Sequence, residues 1–398
     1  MELADRILAS VAERQVIRYI TRLQPAGGVG DKVFPPTYPP PRGQEGTRYA
    51  EETRWISQGT GDPAPTNCIL VDSVPSQANR LEEHALRSRA ALGLPDIQVR
   101  FTGLANETPL SVMEAPHRVF DALLRDSELG TEPFRNSTIG QSLINSTTSN
   151  ATALLQYAPL TLLLGGWDSR RRSGAFRLAR ALTSEIIAVD AHVGVTSASR
   201  MDPKEIVSKA GEGRIKEEDD QAIAFSLLPE SSPKTKTRPS EIGHGNIAPS
   251  INALGGVTCR YVEQIAVISL AQLRRLSFPV DGGNTEQQNQ FGRALLAALG
   301  LALLDSQYQE GYSLRSRCML VPEDEPKIEL IGPTSRDIEL LQLSRGQAIE
   351  AFKALCNRAM AAGLPVSDQV IELTASAKLE ELIRESRLAV RSSEDDEE

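Results

Sequence analysis

Aromatic residues make up only 5 % of this 398-residue chain, and two of them are tryptophan. Histidine is as scarce: His84, His117, His192 and His244 are scattered, with no pair at ligand spacing beside a Cys or a carboxylate, so no metal centre is expected. The four cysteines, at 68, 259, 318 and 356, share no CxxC spacing, which excludes a zinc ribbon and points to reduced core thiols of the cytosol. No run of about eighteen apolar residues occurs, so no membrane span is expected. The start, Met1 to Arg6, lacks the basic-then-apolar form of a signal peptide, and a cytoplasmic location is the expectation. A Gly-x-Ser-x-Gly elbow is missing. Gly27-Gly28-Val29-Gly30-Asp31-Lys32 has the wrong glycine spacing for a phosphate-binding loop, and no Ser or Thr follows its lysine.

What is present is a core-sized 40 % of hydrophobic residues and a formal net charge of −9. That acidity argues against a bulk nucleic-acid coat, although a basic groove can sit on an acidic body. One stretch stands against it. From Trp167 to Arg180 there are five arginines (170, 171, 172, 177 and 180) and one acid, Asp168, a local charge of +4. The apolar Thr161 to Gly166 before it reads as a short buried strand, and the chain after it as a helix carrying Arg177 and Arg180 on one face. A strand, a Gly/Ser/Arg turn and a basic helix start make a phosphate-contacting surface, because guanidinium forks match phosphate oxygens two at a time. The plainer alternative is a solvated loop whose arginines pair with acids elsewhere.

Along the chain, 3–12 predicts an amphipathic helix and 15–23 a strand. Pro25 to Gly46 is a Pro/Gly-rich loop, 67–72 a strand, and 75–92 a helix with Ser73 as N-cap, placing Asn79 and Arg80 near its start. Further strands are expected at 97–101, 185–189 and 257–270. Residues 312–321 read as one more strand, with Arg315 and Arg317 on one face. Helices are expected at 115–127, 286–304, 335–362 and 375–390. Residues 1–199 and 241–335 thus form one folded body, 200–240 a mobile charged insertion, 336–391 C-terminal helices, and 392–398 a disordered acidic tail. The element order predicts an α+β class, with a split β-α-β-β-α-β sheet carrying long insertions. Sheets of that kind often bind single-stranded RNA through an aromatic pair on the strands. That pair is missing here, so the RNA backbone would be the handle. His244, between two glycines, is the one general-base candidate, and Trp167 could stack on a base.

Several stretches in order, namely 34–39, 72–80, 117–122, Trp167-Asp168-Ser169, 241–247, Gly255 to Thr258 and 314–318, resemble the RAMP backbone subunit of type I-G (formerly I-U) CRISPR Cascade complexes, in Cas family seven. The resemblance runs from about residue 15 to 330. It implies a modified RNA-recognition-motif (ferredoxin-like) palm with large finger and thumb insertions. The function implied is not enzymatic. Copies of the subunit would oligomerise head to tail along a crRNA, with no cofactor or metal, and contact other Cascade subunits. They would hold the guide so that it pairs with target DNA in antiviral defence. The RNA-binding set that follows is Asn79, Arg80, Arg118, Trp167, Ser169, Arg170, Arg171, Arg172, Arg177, His244, Asn246, Arg315 and Arg317. Related type III subunits cut RNA with an acid; Asp72, ending a strand, and Asp168, next to an expected helix cap, are expected to be structural instead. Two rival readings are a metal-independent endoribonuclease that processes precursor crRNA through His244, and a protein adaptor that binds no nucleic acid.

Overall fold

The computed structural model describes residues 2–40, 42–43, 46–57, 61–104, 108–171, 174–200, 215–218, 225–233, 242, 244, 247–252, 254–281 and 283–396. Nine strands form its main sheet: β1 (Val16–Pro25), β2 (Glu51–Ser57), β3 (Pro63–Asp72), β4 (Leu182–Val189), β5 (Tyr261–Ser269), β6 (Tyr312–Arg315), β7 (Cys318–Pro322), β8 (Lys327–Ile331) and β9 (Ile338–Leu341). Along β1, Ile17, Tyr19, Thr21 and Leu23 are buried and the residues between them are half-exposed, the period of two that a strand covered on one face requires. One edge of β1 pairs with β5 from Val16 to Leu23. The other edge is divided, with β8 along Val16 to Ile20 and β7 along Leu23 to Pro25. β4 lies on β5, β3 on β4 and β2 on β3, every pair antiparallel. In chain order, the central strands therefore lie fourth (β7 and β8), first (β1), third (β5), second (β4). The class is α+β, as the element order predicts.

Helices cover the face onto which Ile17 and Tyr19 point. They are α1 (Leu3–Glu13), α2 (Val74–Arg87) and α3 (Glu286–Glu310), with α4 (Gln347–Ala361) packed on α3; α5 (Ala377–Asp396) instead bonds through Glu380 to Thr102, just past Asp96–Arg100. α3 starts on a capping box between Thr285 and Gln288. It is buried on every side from Ala294 to Leu304, so it carries no polar face there and runs on to Glu310, six residues past the expected end. α1, α2 and α4 all pack against it. A second sheet joins Asp96–Arg100 to Leu110–Ser111 and Val370–Ala375, and continues to Ser127–Leu129 and Glu132–Pro133.

Several expectations need correction. Residues 159–164 are a helix, not a strand: Pro159 opens it, leucines with no branch at Cβ sustain it, and Gly165 at φ +84° stops it. The segment after the basic turn is a strand, Phe176–Leu178, not a helix. The region 336–391 is not helices alone, since β9 extends the main sheet and Val370–Ala375 pairs in parallel with Asp96–Arg100. Ile338, Val370, Ile371 and Thr374 are the β-favouring residues in these two strands. Within 200–240, the described residues include an antiparallel pair, Ile215–Glu217 with Phe225–Leu227. α5 runs through the acidic stretch to Asp396, carried by its run of strong helix formers.

Candidate functional site

The basic stretch folds as a hairpin. Gly166–Asp168 pairs with Phe176–Leu178, Trp167 directly opposite Arg177. Alternation sends Asp168 and Leu178 inward and leaves Trp167, Arg177, Ser169 and Arg170 exposed. The Arg177 guanidinium lies 5.7 Å from the Trp167 ring centroid. Two glycines let this hairpin seat: a Cβ on Gly166 would stand 2.8 Å from Thr161 Cγ2 and 2.9 Å from the Phe120 ring. Asp168 is buried, accepts from Arg135 Nη2 (3.0 Å) and the Arg170 amide (3.0 Å), and its Oδ2 has no partner among the described residues. Arg171 reaches Ser146 O (2.9 Å) and crosses the Phe176 ring at 4.8 Å.

Beside the hairpin is an open cavity of about 380 Å³, bordered by His117, Arg118, Trp167, Arg177 and Arg180 and by the backbone of 164–166 and 178–179. Arg118 holds the left-handed conformation at φ +54° and grips Glu82 of α2 through Nε (2.6 Å) and Nη2 (2.9 Å). Burial pushes the Glu82 carboxyl up, and Arg118 pulls it back. Arg180 donates to Leu164 O (3.1 Å); burial and the neighbouring Arg118 charge lower its pKa. Among the described residues, Arg170, Arg171, Arg177 and Arg180 form no ion pair with a carboxylate. Arg172 lies outside the described residues.

Other expected site residues gather around a second point, the end of β3. Asp72 is buried and accepts from Ser76 Oγ (2.7 Å), Gln77 Nε2 (2.6 Å), Arg80 Nε (2.8 Å) and Arg315 Nη2 (2.9 Å). Arg80 also donates to Leu314 O, and Arg315 to Val71 O. Four donors leave this carboxylate no free lone pair for acid–base work. Residues 312–321 are a hairpin (β6 and β7), not one strand, so Arg315 and Arg317 do not share a face. Arg317 sits in the turn at φ +56°, its guanidinium 3.9 Å from the Phe34 ring centroid. Behind Asp72 runs a buried polar chain that no sequence signal marked: Gln77 and Ser184 meet (2.9 Å), Gln264 contacts both (3.0 Å), and Gln307 and Tyr312 close on Gln264 (2.8 and 2.7 Å).

α2 links the two groups, contributing Arg80 to one and Glu82 to the other, with Asn79 exposed between them. His244 is in neither. It is exposed, with its ring edge-on to Phe225 at 5.6 Å. Asn246 lies outside the described residues. Glu82 was missed in the sequence, whereas Arg180 and Arg135 read there as polar contacts. The basic run already contained Arg180, but nothing local connected Arg135 or Glu82 to it. No group of three or more His, Cys, Asp or Glu residues could hold a metal among the described residues, and no described helix is long and apolar enough to cross a membrane.

Residues 17–193 match the model of a family described as CRISPR-associated protein GSU0053. The match indicates a CRISPR-associated protein family. It covers less than half of the chain, including Asp72, Arg80, Arg118 and the whole Trp167 hairpin, and ends before His244, Arg315 and Arg317. No curated protein matches.

Proposed function

We propose that this protein is a non-catalytic crRNA-binding backbone subunit of a type I-G Cascade effector. It oligomerises along its guide RNA in the cytoplasm, beside other Cascade subunits, and leaves the bases free to pair with target DNA. The observation that carries this reading is the set of unspent arginines on the Trp167 hairpin, within the segment that matches a CRISPR-associated family. Guanidinium groups without carboxylate partners are available to phosphates, whereas paired ones must first lose their acid. The sheet order fourth-first-third-second, all antiparallel, supports the RNA-recognition-motif palm. The outer face of that sheet does not offer the same handle. Arg18 is held by Glu329, Arg22 by Glu263 and Arg54 by Glu185. The endoribonuclease alternative would rest on His244, whose ring packs on Phe225 and has no acid partner among the described residues.

The test is co-expression with a CRISPR array, followed by the 260/280 absorbance ratio through size exclusion. Wild type is expected as a large RNA-loaded assembly. A variant with Arg170→Ala, Arg171→Ala and Arg177→Ala is expected to lose the RNA. In direct titration its log–log salt slope should fall by about 2, at roughly 0.7 per phosphate contact on a single strand. An RNA-free monomer for wild type, with partner subunits present, would overturn the reading in favour of the adaptor.

A further inference from the structure

β2 ends the main sheet, and among the described residues no strand pairs with its outer edge. None of its seven residues is buried, and Trp55 is 72 % exposed, so the edge is open to solvent. Which backbone groups face outward follows from the pairing. The Leu70 amide donates to Ala50 O, and β2 and β3 then keep one register from Glu51 to Ser57. Antiparallel partners alternate between bonded and non-bonded, so Glu52, Arg54 and Ile56 turn their N–H and C=O groups to β3. Those of Glu51, Thr53, Trp55 and Ser57 point away from the sheet. Proteins usually blunt such an edge with proline, lysine, a bulge or a covering segment. The stretch Glu51–Ser57 has no proline, no lysine and no register shift. Its charged residues, Glu51, Glu52 and Arg54, carry both signs.

We infer that β2 pairs antiparallel with β2 of a second copy of this chain, about a two-fold axis at Thr53. An axis perpendicular to the sheet keeps its two faces distinct, so odd residues meet odd and even meet even. With Thr53 on the axis, Glu52 of each copy stands opposite Arg54 of the other, and Glu51 opposite Trp55. The Thr53 and Glu51–Trp55 matches are bonded pairs and use the outward N–H and C=O groups of all three residues. Glu52 and Arg54 meet as non-bonded pairs, where side chains stand closest and opposite charges add stability. Arg54 is already drawn to that face by Glu185 and by Glu52 of its own strand. Moving the axis to Glu52 or Arg54 sets like charges face to face. Moving it to Trp55 leaves both glutamates outside the pair. The contact is isologous and closes at two copies, unlike a head-to-tail chain, and it needs no RNA. A strand pair this short buries far less than the ~800 Å² per partner of a stable interface, so the dimer is weak and reversible.

The experiment is sedimentation velocity on the RNA-free full-length chain over a concentration series, with non-reducing gels of cysteine variants beside it. Wild type is expected to show a monomer–dimer equilibrium. Glu52→Arg, which sets arginine against Arg54 twice, should weaken it about tenfold or more. Thr53→Cys should cross-link under mild oxidation, because bonded partners have Cα atoms about 5.5 Å apart, within disulfide reach. Trp55→Cys should not, since position 55 faces position 51 and not its own counterpart. Both side chains are exposed, so neither variant disturbs the core, and wild type controls for the native cysteines. Cross-linking through Trp55→Cys alone would overturn the register. A wild-type chain that stays monomeric throughout, with Thr53→Cys uncross-linked, would overturn the pairing. A dimer that ignores Glu52→Arg and leaves Thr53→Cys uncross-linked forms through another surface, and overturns it too.

Discussion

Arg118 shows how a residue can be conspicuous in sequence for one reason and placed in the structure for another. Its guanidinium is spent on Glu82, 36 positions earlier in the chain, and both side chains are nearly buried. Removing one partner of such a pair leaves an uncompensated charge in a poorly solvated site, at about 3–5 kcal/mol. Arg118→Ala is therefore expected to lower the urea midpoint sharply, and pairing it with Glu82→Leu to recover much of the loss, as equilibrium unfolding would report. Arg80 and Arg315 follow the same logic through Asp72, 8 and 243 positions away. Their charge was legible in the sequence, but their partners were not, because nothing local to an arginine says which distant carboxylate the fold delivers to it. Trp167 and Arg177 could be grouped from the sequence because both lie in one short run whose charge opposes that of the whole chain, and the structure pairs them across one hairpin.

The hairpin is where local reading went furthest astray. Leucines at 160 and 162–164 satisfy either a buried strand or a buried helix, and a six-residue apolar run has too few turns to show its period. Pro159 at the first helical position was the deciding signal. Once 159–164 coils, Gly165 and Gly166 must turn the chain back beneath Phe120, and the arginines fall on a two-strand ribbon. Gly166→Ala is predicted to cost about 1–3 kcal/mol by overpacking against Thr161 and Phe120, seen as a lower urea midpoint. β1, by contrast, was legible almost to its ends, since it alternates over many residues, whereas β3 and β5 each start four residues away from the expected positions and α3 ends six residues late.

Across the whole molecule, the C-terminal third is joined to the front of the chain. Glu380 of α5 accepts the backbone amides of Thr102 (2.6 Å) and Gly103 (2.8 Å), just past Asp96–Arg100. Those amides, the Gly103 one first, hold its carboxyl below the ordinary value of 4.5 despite some desolvation. A carboxyl depressed in the folded state stabilises it above that value and ceases to do so as pH falls through the folded pKa. Glu380→Gln should thus have a lower urea midpoint than wild type at about pH 7, with the gap closing as the pH falls below 4.5 and through the folded pKa.

The divided edge of β1 also sets a schedule. Val16 pairs with Ser269 on one side and Ile331 on the other, so the first strand has no neighbour until about 250 further residues exist. At roughly 5–20 residues per second, a ribosome would hold that strand unpaired for something like ten seconds to a minute. β4 has β3 to pair with from the start but cannot join β1, because β5 lies between them. The segment that carries the family match therefore cannot close its own sheet, and its central layer assembles only once the second half of the chain has been made.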